Sequence, residues 1–343
     1  MVTLKTIAKQ AGVSVTTISR ILNSKDDRCV QASEETITRV RELAKKMNYV
    51  PNQMARTMKT SKSKCIGVVI PSFVDAFFCE LYEEIRIYLE QKGYQTLLFF
   101  HDVGPNYMRE VEQRELYERF NYSYIDALIF TYPDFHQEIE RTDQIYEHRR
   151  PIVIVDYDKQ PDELSPLNQV VINIQENCKK IIRYLFDRGI KDVCYLGPGV
   201  DDSDSRIVAL KSIYREYNRP FRKEKQILNC SCCLSNGYDV TEQLIQSGDV
   251  PKGILCVNDN VAMGVIQCLW QNGYRIPEDV NVIGVNDTSD SRCIYPPLTT
   301  IRLPIKKIAT ALSDIVLNEL QTEKRETTSV YINSELVIRN STI

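Results

Sequence analysis

Thr3–Asn23, TLKTIAKQAGVSVTTISRILN, decides how the rest of the chain is read. Leu4, Ile7, Ala8 and Ala11 recur at helical spacing and predict one buried face. Gly12 ends that helix, because a residue without a Cβ takes the left-handed conformation freely. Ser14 is placed to cap a second helix by accepting from the amides of its first turn. Ile18, Ile21 and Leu22 form the buried stripe of that second helix. Val15, Thr16, Thr17, Ser19, Arg20 and Asn23 are left on or near its outer face. Ala8, Gly12 and Ile18 stand where a helix-turn-helix needs a small residue at the crossing, a turn glycine and a β-branched packer. That motif lays its second helix in the DNA major groove. A helical hairpin with an ordinary polar face is the alternative, and charge argues against it. Residues 1–62 carry 12 Lys and Arg against 5 Asp and Glu, a net +7, while the whole chain is −3 and the remainder therefore −10. A basic reader on an acidic body is the asymmetry of a nucleic-acid-binding protein.

Outward from this stretch, Ser33 caps a third helix running to about Met47. Glu34 and Glu35 lie in its first turn and Lys45 and Lys46 in its last, which suits the helix dipole. Residues 1–49 thus read as a small all-α headpiece. Pro51 breaks the pattern, and Asn52–Thr60 (NQMARTMKT) is short and basic. It is too short to be stably helical alone in water. Residues 50–62 are therefore expected to be a linker that orders on a partner. From Lys64 the chain alternates near-continuous apolar strands with amphipathic helices: KCIGVVIP, QTLLFF, DALIFTY and PIVIVDY, then VVIN, DVCYLG, GILCVN and VNVIGV. Helices are predicted between them, including 107–120 and 134–148. This is the pattern of parallel sheets covered on both faces. It predicts an α/β core, 63–343, of two doubly wound lobes. The first is placed at about 63–163 and 295–325, the second at about 164–294 and 326–343. The tail, ending in SVYINSELVIR, is expected to complete both sheets.

Ligands of open parallel sheets bind outside the carboxyl ends of the strands. The polar residues there are Ser72, Asp75, Asp156, Asn258, Asp259, Asn286 and Asp287. Each alone fits a helix cap equally well; recurrence after four strands favours a shared ligand.

Other functions are argued against. No apolar run is long enough to span a membrane. Lys5 and Lys9 interrupt any signal-like segment, so a cytoplasmic protein is expected. No GxGxxG or P-loop follows the first strand, and no Ser/His/Asp grouping appears. Neither catalysis nor a cofactor is expected. Of 11 cysteines, Cys230, Cys232 and Cys233 cluster, but His101, His136 and His148 are remote in sequence. No metal site is expected there, and the simplest reading is reduced thiols packed as small apolar residues.

At this point the chain resembles the LacI/GalR family of bacterial transcription regulators. TLKTIAKQAGVSVTTISRILN is similar to that family's headpiece and NYVPNQMARTMKT to its hinge helix. IGVVIP followed by DAFF is similar to its first core strand, and GVNDTSDSRCIYPPLTTI to the segment closing its second lobe. The core strands alone would also suit a periplasmic-binding-protein-like solute receptor, but such a protein needs an export signal and no headpiece. The resemblance implies a homodimer on a pseudo-palindromic DNA operator, with a small-molecule effector, a sugar or sugar derivative, between the lobes. It further implies an effector-gated repressor of carbohydrate utilisation. Activation, co-repression, or a purine or phosphorylated-sugar effector are the alternatives. By position it implies base contacts from Val15, Thr16 and Arg20, and backbone or groove-edge contacts from Thr3, Ser14, Thr17, Ser19 and Asn23. Asn52, Ala55 and Met58 match hinge positions that approach the minor groove, Met58 standing where the family usually has leucine. Asp156, Arg206 and Asn258 match effector-contacting positions, with Ser72 and Asp75 beside them. Asn286 stands where many members have aspartate.

Overall fold

The computed structural model describes residues 2–23, 32–49, 62–71, 73–100, 125–132, 150–159, 167–198, 204–322 and 327–343. The expected helices at 107–120 and 134–148, the hinge residues Asn52, Ala55 and Met58, and Ser72 lie outside them. The chain forms two compact units, Met1–Ser63 and Lys64–Ile343.

The first unit holds three helices: α1 (Leu4–Ala11), α2 (Val15–Asn23) and α3 (Glu34–Lys46). Thr3 caps α1 by accepting from the Thr6 amide, and Gly12 closes it at φ 66. The Ser14 hydroxyl accepts from Thr17 N at 3.1 Å. Ser33 repeats the device at α3 with Thr36 N, 3.3 Å. Ile7, Ile18, Ile21 and Val40 are wholly buried and form a single apolar centre with Ile37 and Ala44. The Arg39 guanidinium donates to Ala11 O at 3.2 Å, satisfying a carbonyl at the end of α1.

In the second unit the described elements run β1 (Cys65–Ile70), α4 (Ala76–Gln91), β2 (Gln95–Phe100), β3 (Ala127–Phe130), β4 (Ile152–Tyr157) and β5 (Asn168–Asn173). They continue through α5 (Gln175–Asp187), β6 (Val193–Gly197), α6 (Ser205–Glu216), α7 (Lys223–Gln226), β7 (Ile227–Asn229), α8 (Leu234–Ser247) and β8 (Gly253–Cys256). The last are α9 (Asp259–Gln271), β9 (Asn281–Asn286), β10 (Thr299–Arg302), α10 (Ile305–Thr322), β11 (Ser329–Asn333) and β12 (Glu335–Val337). Two sheets result, ordered β11-β5-β4-β3-β1-β2 and β12-β10-β9-β8-β6-β7. All described pairings are parallel except β10 with β12. Phe77, Leu81 and Ile85 of α4 and Ile308, Leu312 and Val316 of α10 cover the first sheet. The second sheet shares its core with α5, α6 and α9 through Ile181, Leu185, Ile213 and Val265.

The lobe boundaries need correction. β5, placed by sequence in the second lobe, pairs with β4 in the first sheet (Val155↔Val170). β10, placed in the first lobe, pairs with β9 in the second (Ile301↔Val285). β11, placed in the second, pairs with β5 in the first (Val330↔Val170). A buried parallel strand joins whichever sheet offers a free edge, and its own apolar run does not say which. The chain passes between lobes at Ile174, near Leu303–Pro304 and at Ser334. Only Ser334 separates β11 from β12, so the tail does complete both sheets.

Candidate functional site

Two surfaces collect the residues singled out above. In the headpiece, Thr3, Ser14, Val15, Thr16 and Arg20 are exposed and Thr17 and Ser19 half-buried. Asn23 closes α2. Thr3 and Ser14 stand at the starts of α1 and α2. Their hydroxyls also meet Thr6 Oγ1 at 3.0 Å and Thr17 Oγ1 at 2.8 Å, so each N-terminus presents amides and oriented hydroxyls together. Free amides and the helix dipole favour an anion there, as phosphate contacts require. Val15, 39% exposed, offers an apolar surface five residues before the Arg20 guanidinium, a donor set that matches guanine.

The second surface lies between the two sheets. Asp75 caps α4, its Oδ1 accepting from Phe77 N at 3.0 Å. Its Oδ2 accepts from Asn258 Nδ2 at 2.8 Å, across the lobes. Asn258 in turn caps α9, with Oδ1 accepting from Val261 N at 2.9 Å, and its amide also donates to Cys232 O at 3.1 Å. A second cross-lobe bond runs from Asn260 Nδ2 to Val74 O, 2.9 Å. Cap and bridge are thus the same side chains. Burial raises the Asp75 carboxyl, against the Phe77 and Asn258 N–H groups that lower it, with Glu80 adding a smaller rise.

Arg206 opens α6 behind its cap, Asp204, whose Oδ1 accepts from Arg206 N at 2.8 Å and lies 3.4 Å from Nε. Burial opposes the guanidinium charge, but Asp204 and the Tyr195 phenol outweigh it and hold the group cationic. Among the described residues, neither the Tyr195 hydroxyl nor Arg206 Nε has a hydrogen-bond partner of ordinary geometry. The hydroxyl packs over Gly197, where a Cβ would come within about 2.3 Å of it. Tyr157, at the end of β4, is raised first by its own burial; Arg206 opposes that, and Asp75, Asp156 and Asp158 add to it. Its phenol therefore sits amid all four charges. Asp156 is buried, with Oδ1 accepting from Tyr157 N at 2.8 Å. Asp158 accepts from Ile174 N at 2.9 Å and Gln175 N at 3.1 Å, and Ser205 of the other lobe lowers a carboxyl that burial raises.

The structure therefore brings Asp75, Asp156, Arg206 and Asn258 together. Asn286 lies at the end of β9 at φ 113, its carbonyl accepting from Leu303 N at 3.4 Å. Asp287 is engaged by Arg302 and Arg339, at 2.6 Å each. Asp259 is buried, accepting from Thr288 N at 2.8 Å and Thr300 Oγ1 at 2.6 Å. Both aspartates hold the second lobe together. Sequence reasoning missed Tyr157, Asp158, Asp204 and Asn260. Their signal was present, since each lies within two residues of a residue that was singled out. Among the described residues, no three His, Cys, Asp or Glu are placed to hold a metal ion.

Residues 3–52 match the family model for bacterial regulatory proteins of the lacI family, and residues 182–342 the periplasmic binding protein-like domain. The chain therefore joins a lacI-type DNA-binding domain to a periplasmic binding protein-like domain. It is a DNA-binding transcriptional regulator. It is similar to the HTH-type transcriptional repressor PurR of Vibrio cholerae serotype O1, 27% identical over 99% of this chain and 98% of that protein. It is also similar to the HTH-type transcriptional regulator RegA of Clostridium saccharobutylicum, 26% identical over 99% of both. In fold it matches the Lac repressor dimer bound to operator and the anti-inducer ONPF, with a TM-score of 0.84 and 23% identity over 100% of this chain and 99% of that one. No described helix is long and apolar enough to cross a membrane.

Proposed function

We propose that this chain is an effector-gated repressor of the LacI family, acting as a homodimer on a pseudo-palindromic operator. In this reading Arg20, Val15 and Thr16 face bases, and Thr3, Ser14, Thr17, Ser19 and Asn23 position the headpiece on the backbone. Asn52, Ala55 and Met58 approach the minor groove from a hinge at 50–62. The observation that carries the gating is the pair of side-chain bonds across the lobes, Asn258 to Asp75 and Asn260 to Val74 O. A ligand that competes for Asp75 and Asn258 changes the lobe contact and shifts the population between two lobe arrangements.

The donor set favours a hydroxyl-rich ligand, a sugar or sugar derivative. Asp75, Asp156 and Asp158 accept, Asn258 both donates and accepts, and Arg206 donates in a fork that fits adjacent hydroxyls, a carboxylate or a phosphate. Similarity to relatives named PurR favours a second reading, a purine. Thermal unfolding of the full chain with sugars, sugar phosphates and purine bases separates them, because a ligand of the folded state raises the midpoint by mass action. The shift is expected to disappear in Arg206→Ala and Asn258→Ala. A shift that persists in both would remove the ligand from this site.

A further inference from the structure

The cleft has one wall that the proposed gating does not use. Cys230-Ser231-Cys232-Cys233 links β7 to α8, giving a strand–CxxC–helix arrangement in which the second motif cysteine is the N-cap of a helix. Cys230 is buried, its Sγ 3.2 Å from Ser231 O. Cys232 is exposed and Cys233 half-buried. Cys233 Sγ lies 3.2 Å from Ser231 Oγ and 3.4 Å from Ser235 Oγ, so one sulfur has two hydroxyls at hydrogen-bond range. The three thiols differ in acidity for visible reasons. Burial raises Cys233, but the Ser231 and Ser235 hydroxyls, then the backbone N–H groups at Asn236 and Cys233, outweigh it and hold the thiol below its ordinary value. Burial pushes Cys230 up to about 12, and Cys232 is raised as well, against the opposing charge of Arg206. A half-buried, more acidic thiol beside a buried, less acidic one three residues away is the division of labour of a dithiol redox pair.

We propose that Cys230 and Cys233 form a peroxide-responsive dithiol that resets the cleft. The Cys233 thiolate attacks one oxygen of a hydroperoxide. The O–O bond breaks, and the other oxygen leaves as hydroxide or alkoxide and takes up a proton. The sulfur, oxidised by two electrons, becomes a sulfenic acid. The Cys230 thiol then attacks that sulfur; an S–S bond forms and the sulfenic oxygen leaves as water with the thiol proton. A thiol reductant reverses the change by exchange.

The consequence lies at the residue between the two sulfurs. The Cys232 carbonyl accepts from Asn258 Nδ2, the same amide that bridges to Asp75. Closing a ring from residue 230 to 233 moves that carbonyl and leaves Asn258 with one acceptor fewer. This coupling rests on the proposed interlobe ligand site; the thiol chemistry does not.

The test uses the full chain with hydrogen peroxide, read by peptide mass with and without the sulfenic-acid trap dimedone. The expected product is a single disulfide joining the peptides of Cys230 and Cys233. Cys232→Ser keeps it, and Cys230→Ser stops at a dimedone adduct on Cys233. Cys233→Ser gives neither product. At neutral pH, iodoacetamide labels Cys233 faster than Cys232, because the two hydroxyls beside its sulfur give it the larger thiolate fraction. Oxidation spread over the other cysteines, a disulfide to Cys232, or equal labelling rates at the two positions would each overturn the dithiol. If the disulfide forms but leaves ligand-induced thermal shifts unchanged, the coupling fails while the thiol chemistry stands. If no ligand shifts the reduced chain, it is the ligand site that fails.

Discussion

The headpiece and the core solve the same problem, unsatisfied amides at helix starts, in opposite ways. In the headpiece every described cap is local: Thr3 with Thr6, Ser14 with Thr17 and Ser33 with Thr36, all three residues apart. In the core, the caps at the cleft's cross-lobe contact keep a second obligation far away. Asp75 and Asn258 cap their own helices and hold each other across 183 residues of chain. Asp158 accepts from the start of α5 some 16 residues on. A local cap requires only an acceptor oxygen. A cap that also bridges two elements requires a particular donor, acceptor and charge, so substitutions of equal size should have unequal effects.

Asn258→Asp is the sharpest way to break this contrast. It keeps the acceptor that caps α9 but removes the donor to Asp75 and Cys232 O, and sets two carboxylates face to face. We expect the core to lose about 2–4 kcal/mol, read from its urea midpoint, because a buried charge is left without its partner. A loss no larger than that of a surface cap would mean that the cross-lobe bond carries no stability. Arg20→Ala tests the reading face instead. Specific DNA affinity should fall by about 1–3 kcal/mol, with non-specific affinity and thermal midpoint nearly unchanged. Equal losses on all sequences would make Arg20 a phosphate contact. At Ser14 the local rule predicts tolerance: Ser14→Ala costs the headpiece about 1 kcal/mol, and Ser14→Asp restores it because aspartate also caps. Circular dichroism melting of the pair decides the point.

The smallest effect concerns a slope. Burial raises Asp259 to about 7, although Thr300 and Thr288 hydrogen bonds lower it. A carboxyl whose folded value lies above its unfolded value keeps its proton in the folded state. Its contribution to stability is therefore fully present at low pH and declines as pH rises from about 4 to about 7. The core of Asp259→Asn should lose less midpoint than the parent between pH 5 and pH 8. Parallel curves would place the titration elsewhere.

Legibility in the sequence followed the same division. α1, α2 and α3, Gly12 and the caps at Ser14 and Ser33 could be read directly, because each depends on residues within one turn. Most core strands were legible from their apolar runs. Their assignment to sheets was not, because β5, β10 and β11 are ordinary buried strands and only pairing assigns them. Asp75 and Asn258 were singled out as either caps or ligand contacts; neither motif reveals that they meet. Tyr157 was marked only by its place next to Asp156, and Tyr195 gave no signal, since its importance lies in which charges and backbone surround it. Cys233 differs from Cys230 through its lesser burial and through Ser231, Ser235 and the start of α8.

The single residue between β11 and β12 has a further consequence. Side chains alternate faces along an extended chain, so Ile332 in one sheet and Leu336 in the other keep a fixed phase through Ser334. Ser334 N and Oγ donate to Asn173 O at 3.1 and 2.6 Å, and its carbonyl accepts from Asn177 Nδ2 at 2.9 Å, so little slack is left there. Loss or gain of one residue at this joint therefore acts as a frame error in three dimensions. It would turn the side chains of one strand inside out while leaving its amino-acid composition almost untouched.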